Sequence, residues 1–259
     1  MTEYIFSDNQ EDNEYYRLRL LEEAFDEKTK TILRHAGLKE GWKCLEIGPG
    51  AGSILMWMAE IVGDSGIIVG LDKNTKYIKQ LDHTPIKIVE GMIQDFKYDQ
   101  QFDLIHARYV FIHNTDAAKL ISKTTELLKP GGILVIEEPD FTVARWIDDR
   151  YKKGGNRVNQ AICKMFQTKG LNPAYGTQVG LDMATSGLNI DKIDSEMHLE
   201  FGGSAVAKVM SASTEALKEK YIETGECSED DIGTYIKGAK DPRSFATYYA
   251  TTSIVGTKT

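Results

Sequence analysis

Residues 44–53 read Cys44-Leu45-Glu46-Ile47-Gly48-Pro49-Gly50-Ala51-Gly52-Ser53, and the fold turns on this stretch. The apolar run before Gly48 reads as a buried strand, and 53–61 after it reads as a helix. Three glycines at the hand-over let the backbone turn tightly and approach a ligand, while the helix start beyond them offers unpaired N–H groups. Their pattern is Gly48-x-Gly50-x-Gly52, with Ser53 where a dinucleotide fingerprint has its third glycine. Glu46 stands two residues before the first glycine. A carboxylate there repels a pyrophosphate but suits a cationic amine. Twenty residues past Gly52, Gly70-Leu71-Asp72 closes the next strand, and an acid at that position can take both hydroxyls of a ribose.

The alternation continues on either side. Strand-like apolar runs fall at 43–47, 67–71, 86–89, 102–107 and 133–137, with helical periodicity at 53–61, 75–80 and 117–128. The last of these helices meets Lys129-Pro130-Gly131-Gly132, a stop signal. Strands this apolar, alternating with helices, predict a parallel sheet covered on both faces. Upstream, Tyr15, Leu18, Leu21 and Phe25 recur at spacings of three and four, which predicts a helix over 14–35 stopped by Gly37. Past Asp140, residues 145–188 look helical but are broken by Gly154-Gly155, Gly170, Pro173 and Gly176, and predict an insertion over the sheet's edge. A strand at 190–201, helices at 205–224 and 230–237, and a β-rich strand at 245–255 follow. Ser228, with Asp231 three residues on, marks a capping-box-like helix start. The expected layout is one domain: a helical arm or lid at 1–36, a cofactor-binding core at 37–140, a helical cap insertion at 141–188 and the end of the sheet at 189–259.

Composition narrows the function classes. Of 259 residues 41% are hydrophobic and 27% charged, which excludes a disordered or low-complexity chain. The net charge of −8, without any Lys/Arg block, disfavours nucleic acid as a partner. Three widely spaced cysteines, Cys44, Cys163 and Cys227, form neither a disulfide framework nor a zinc-binding spacing. The acidic first residues lead into no apolar segment, and no apolar run approaches the ~18 residues of a membrane span, so a cytoplasmic chain with no membrane partner is expected.

A ribose together with a positively charged end describes S-adenosylmethionine. In these residues the chain resembles the class I S-adenosylmethionine-dependent methyltransferases. The resemblance spans about 39–140 and rests on 46–52 (EIGPGAG), Gly70-Leu71-Asp72, 101–108 (QFDLIHAR) and 127–132 (LLKPGG). It implies an α/β, doubly wound, Rossmann-like sheet of seven strands, mostly parallel with an antiparallel last strand, beneath a helical cap. It also implies that Glu46, Gly48, Gly50 and Gly52 hold the methionine end of the cofactor and that Asp72, with Lys73 beside it, holds the ribose. Met92 and Ile93 would then line the adenine, and Ala107 and Arg108 would lie near the methyl donor. Family members often carry an acid just after strand three, where this chain has Met92. Methionine packs flat on an adenine, which leaves Gln94 or Asp95 to meet the amino group.

The activity this implies is methyl transfer to an O, N or C nucleophile of a small molecule. The same motifs suit a protein that binds S-adenosylmethionine without methylating, or a fold member with non-methyl chemistry. An NAD-dependent oxidoreductase shares the topology, but Glu46 and Ser53 speak against it. A general base is needed only for a poorly acidic hydroxyl or a protonated amine, and histidine suits that task. His106 and His113 flank the carboxyl end of the fourth strand and are the catalytic candidates, His113 following a loop and facing the cleft. Tyr4, Tyr15, Tyr16 and Trp146 are candidates for an aromatic wall around an apolar substrate. Glu137, Glu138 and Asp140 gather after strand five, but no carboxylate follows strand four to complete a metal site, so no metal is expected. No Asn/Asp-Pro-Pro-aromatic motif stands there either, which again disfavours a nucleic acid.

Overall fold

Strands with no polar break become the middle of the sheet, because both their faces must be covered. β1 (Lys43–Ile47), β2 (Ile67–Asp72), β3 (Ile86–Glu90), β4 (Phe102–Arg108) and β5 (Leu128–Asp140) pair in parallel in the order β3-β2-β1-β4-β5. These come from a computed structural model that describes residues 5–6 and 11–259. The final strand, β8 (Phe245–Lys258), runs antiparallel to β5 and to β7 (Leu188–Phe201). The sheet has eight strands rather than the seven expected, because Arg145–Trp146 forms a two-residue β6. It pairs with β8 at 246–247, while β5 pairs with β8 over 250–257 and β7 takes the opposite edge throughout. β6 therefore continues the line of β5 and adds no new position across the sheet.

Eight helices complete the described residues: α1 (Glu11–His35), α2 (Ser53–Val62), α3 (Ala117–Glu126), α4 (Lys152–Thr168), α5 (Tyr175–Thr185), α6 (Ala205–Ala216), α7 (Lys218–Ile222) and α8 (Glu229–Lys240). None is long and apolar enough to cross a membrane. The helix expected at 75–80 is instead a single 3-10 turn, Lys79–Leu81. Side chains upstream of it take the backbone N–H groups into turns: Asp72 accepts from Asn74 N at 2.9 Å and Asn74 from Lys76 N at 3.2 Å. α3 ends at Glu126, two residues earlier than its periodicity predicts, because Leu128 already pairs with Phe102 as part of β5. The helix expected over 205–224 is broken at Leu217 into α6 and α7. The capping box that opens α8 is present, with Ser228 and Asp231 bonding reciprocally.

The stretch 141–188 is not wholly a cap. Gly176 lets α5 lie directly on β5, where a Cβ would come 2.6 Å from the Glu138 carbonyl oxygen, and Gly180 faces Ile254 of β8. α5 is thus a covering helix of the sheet. Only α4 joins the cap, whose other members, α6, α7 and α8, come from the segment between β7 and β8. Trp146 braces this cap: its indole fills the space over Gly155 of α4 and Gly238 of α8, leaving no room for a Cβ at either.

α1 is anchored along its second half. Phe25, Ile32 and Leu33 are buried, Thr29 Oγ1 donates to Glu137 Oε1 at 2.6 Å, and Arg108 Nη2 donates to Asp26 Oδ1 at 2.9 Å. Its first half passes over the carboxyl ends of the strands, where the glycine turn lies.

Candidate functional site

The carboxyl edge of a parallel sheet is where loops diverge and leave a crevice. Here the crevice is closed by α1 and the cap into a cavity of about 530 Å³, within the range of small-ligand sites. Gly48 and Gly50 form its floor with φ of 68° and 60°, a region that only glycine enters cheaply, whereas Gly52, with φ of 95°, does not line it and faces Leu81 and Ile78. Gly48 is needed twice over, since a Cβ there would stand 2.6 Å from Val110 Cγ2. Leu18 of α1 lies over Gly50, 3.4 Å from where its Cβ would be.

Glu46 is buried at the end of β1 and lines the same cavity. Among the described residues its Oε2 has no partner. A carboxylate oxygen in that situation costs free energy unless a ligand cation meets it. Asp72, at the end of β2, also lines the cavity, with Lys73 and Asn74 beside it. Burial raises its pKa, against the Asn74 N–H and the Lys73 charge that work to lower it. Met92, Ile93 and Gln94 line the cavity from the loop after β3, and Gln94 Nε2 lies 3.7 Å from Met92 Sδ. The residues present therefore fit the cofactor implied by the sequence: an orphaned acid for its amine, a second acid for its ribose and a thioether with an isoleucine for its base.

The wall beyond β4 is built by a strained loop. Tyr109 has φ of 57°, outside the range ordinary residues favour. Glu138 holds the loop in that shape: Oε1 accepts from Val110 N at 3.1 Å and Phe111 N at 2.7 Å, and Oε2 from Ile112 N at 3.2 Å. The loop ends in the 3-10 turn Phe111–His113, which brings His113 to the cavity with its ring stacked on Phe166. Burial, then the charges of Arg17 and Lys73, push the pKa of His113 down to about 3. Its imidazole is neutral at ordinary pH.

Other expected residues lie elsewhere. His106 is fully buried in β4 between two carboxylates, not against a packing helix, and does not line the cavity. Ala107 is likewise buried in the core and off the cavity wall, because neighbouring residues of a strand face opposite sides. Arg108 does line it, but is committed to α1 through Asp26 and, at 2.9 Å, through Thr29 Oγ1. Tyr15 and Tyr16 are exposed on α1, Tyr15 against the ring of Tyr77, and Trp146 is the buried brace of the cap. Tyr4 lies outside the described residues. The aromatic wall comes instead from Phe111, Phe141, Phe166, Tyr221 and Tyr249.

Glu22 is a site residue that the sequence did not single out. From α1 it accepts the N–H of Ser53 at 3.0 Å, covering the start of α2, and it pairs with Arg19. Its only sequence signal is a carboxylate beside the apolar stripe of Leu18, Leu21 and Phe25. Glu137, Glu138 and Asp140 are each engaged within the protein: Glu137 with Thr29 and Ser253, Glu138 with the loop, Asp140 with Thr142.

Comparison with known proteins agrees with this geometry. A family model described as a methyltransferase domain matches residues 38–178. The probable cobalt-precorrin-6B C(15)-methyltransferase (decarboxylating) of Thermoplasma volcanium is 31% identical over 109 residues, covering 40% of this chain and 54% of that protein. The chain spans about half the length of the curated relatives it matches. Among solved structures, phosphoethanolamine N-methyltransferase 2 of Haemonchus contortus, held with phosphomonomethylethanolamine and S-adenosylhomocysteine, superposes with a TM-score of 0.56 at 15% identity, over 90% of this chain and 52% of that one. The cyclase SpnF superposes with a TM-score of 0.57 at 16% identity, over 90% and 80%. These two likenesses are of fold. Taken with the domain match over more than half the chain and the acid–glycine–acid cradle, they make this chain a member of the class I S-adenosylmethionine-dependent methyltransferase family.

Proposed function

We propose that the protein transfers a methyl group from S-adenosylmethionine to an N, O or C nucleophile of a small, mainly apolar molecule in the cytoplasm. One observation carries this reading: a single cavity joins the cradle of Glu46, the glycine turn and Asp72 to a chamber walled by Phe141, Phe166, Met210, Leu217, Tyr221 and Tyr249. A chamber of this character suits a small apolar guest, and neither it nor the net charge of −8 suits a nucleic acid.

When bound, the cofactor supplies an activated methyl group on a sulfonium. The work left to the chain is to orient the acceptor and keep water out. Glu46 holds the amino-acid end of the donor and Asp72 its ribose, and Met92 with Ile93 packs against its base. The α1 and cap side chains close the chamber. His113, neutral and beside the aromatic wall, hydrogen-bonds the acceptor near its nucleophile.

Calorimetry and a labelled-methyl assay test this reading. S-adenosylhomocysteine should bind in the micromolar range and far more tightly than NAD, and Asp72→Ala should weaken it by about 10- to 100-fold through loss of charge-assisted hydrogen bonds. Label should pass to a small apolar product from a metabolite extract. Tight binding without any labelled product would leave a cofactor-binding member of the fold with other chemistry. Tighter binding of NAD would overturn the cofactor assignment.

A further inference from the structure

The interior of the sheet holds a charged line that the proposed transfer does not use. Glu46 of β1, His106 of β4 and Glu137 of β5 lie side by side beneath the cavity, none more than 4% exposed. His106 Nε2 is 3.2 Å from Glu137 Oε1, and its Nδ1 is 3.5 Å from Glu46 Oε1. Glu137 is held in turn: Thr29 Oγ1 donates to Oε1 at 2.6 Å and Ser253 Oγ to Oε2 at 3.1 Å. Glu137 thus has a full set of partners. Among the described residues Glu46 has only His106 near one oxygen and no partner on the other.

Carboxylates buried in a dry interior need a group of opposite charge beside them. His106 supplies it. Burial works against its charge, but the hydrogen bond to Glu137 and the negative charges of Glu46 and Glu137 beside it outweigh that, and its pKa is raised. Glu137 moves the other way: burial opposes its charge, and His106 and Arg108 nonetheless hold its pKa down.

We propose that His106 is a positioning residue for the cofactor's amino-acid end: pinned to Glu137 through Nε2, it sets its Nδ1 against Glu46 Oε1 and so holds the Glu46 side chain turned with Oε2 left for the ligand's ammonium group. The proposal rests on the assignment of S-adenosylmethionine as cofactor. It makes His106 a determinant of selectivity between adenosyl ligands with and without an amino-acid tail, acting without touching either.

The test compares S-adenosylhomocysteine with 5′-methylthioadenosine, which keeps the base, ribose and sulfur but lacks the amine and carboxylate. His106→Gln should raise the Kd of S-adenosylhomocysteine by about 10- to 100-fold, the range of a hydrogen bond to a charged group, and leave 5′-methylthioadenosine within about twofold. In a Glu46→Gln background the same change should add nothing, since the carboxylate it acts through is gone. Equal weakening of both ligands would reduce His106 to a packing role and overturn the proposal, as would no change for either. Should the variant not fold, the His106 imidazole resonances of the unaltered protein give the answer. They should move on adding S-adenosylhomocysteine and stay in place with 5′-methylthioadenosine, and identical responses to the two would overturn the proposal. An unaltered protein that binds 5′-methylthioadenosine but not S-adenosylhomocysteine would remove the amine contact. One that binds neither would remove the cofactor assignment itself.

Discussion

His113 shows how burial changes the meaning of a residue. Position alone names it as a base, at the carboxyl edge of the sheet and facing the chamber. Its surroundings make it a poor one, because desolvation and the Arg17 and Lys73 charges press its pKa to about 3. Such an imidazole hydrogen-bonds a hydroxyl or amine and seldom takes up a full proton. His113→Ala should accordingly lower kcat by about tenfold, short of the ~10²–10⁴ that a general base contributes. A loss of a hundredfold or more in steady-state kinetics would restore the role of base. The same shift has a consequence for stability. Between pH 6.5 and about 3 the unfolded chain binds a proton that folded His113 refuses, so stability falls as pH drops through that window. His113→Gln should flatten the acid limb of a denaturation-midpoint profile, and an unchanged limb would show that other groups dominate it. His106, whose pKa is raised, has the opposite sign: it stabilises at low pH and loses that contribution as pH rises through its folded pKa.

α1 is one helix with two tasks. From Phe25 onward it belongs to the core, through Phe25, Ile32 and Leu33 and the bonds of Asp26 and Thr29 to β4 and β5. Before that it carries Glu14, Arg17, Leu18, Leu21 and Glu22 over the cavity, where Glu22 ties it to the start of α2. A uniformly mobile lid does not match this anchoring. Opening should instead be confined to the first half, the part that forms the cavity wall. In hydrogen exchange, amides of 11–22 should slow on adding S-adenosylhomocysteine while those of 25–35 stay as protected as before. Equal slowing in both halves would mean that the helix moves as a unit, and no change in either would make it a fixed wall.

The whole molecule joins a sheet, a helical arm and a cap around one cavity, so a ligand in it touches most of the structure. Binding to the folded state alone stabilises by about 2.7 kcal/mol at a hundred times Kd. For a chain of this size that corresponds to a rise in Tm of about 5–10 °C. Thermal melts with S-adenosylhomocysteine should show such a rise, and melts with NAD at the same concentration should show none. Equal shifts with both ligands would mean that the cradle does not discriminate in the way Glu46 and Asp72 require.

What the sequence determined by itself is whatever depends on neighbours along the chain. The strand–glycine–helix hand-over at 43–53, most of the order of strands and helices and the capping box at Ser228 follow from local periodicity and turn chemistry, while the antiparallel final strand was implied by the family resemblance. The positions of Glu46, Gly48, Gly50 and Asp72 follow from the same local signals, the family resemblance added Met92 and Ile93, and the sheet brings these six to one edge. Side-chain direction and burial depend on segments far apart, and only the tertiary structure decided them. Trp146 became a brace because Gly155 and Gly238 leave room for its indole. Tyr15 and Tyr16 stayed in solvent because the buried stripe of α1 runs through Leu20, Phe25, Ile32 and Leu33. His106 turned inward because β1 and β5 set a carboxylate on either side of it. α5 joined the sheet because Gly176 permits close contact with β5. Charge and burial at each of these places are set by chain that lies tens of residues away, and no local pattern carries that information.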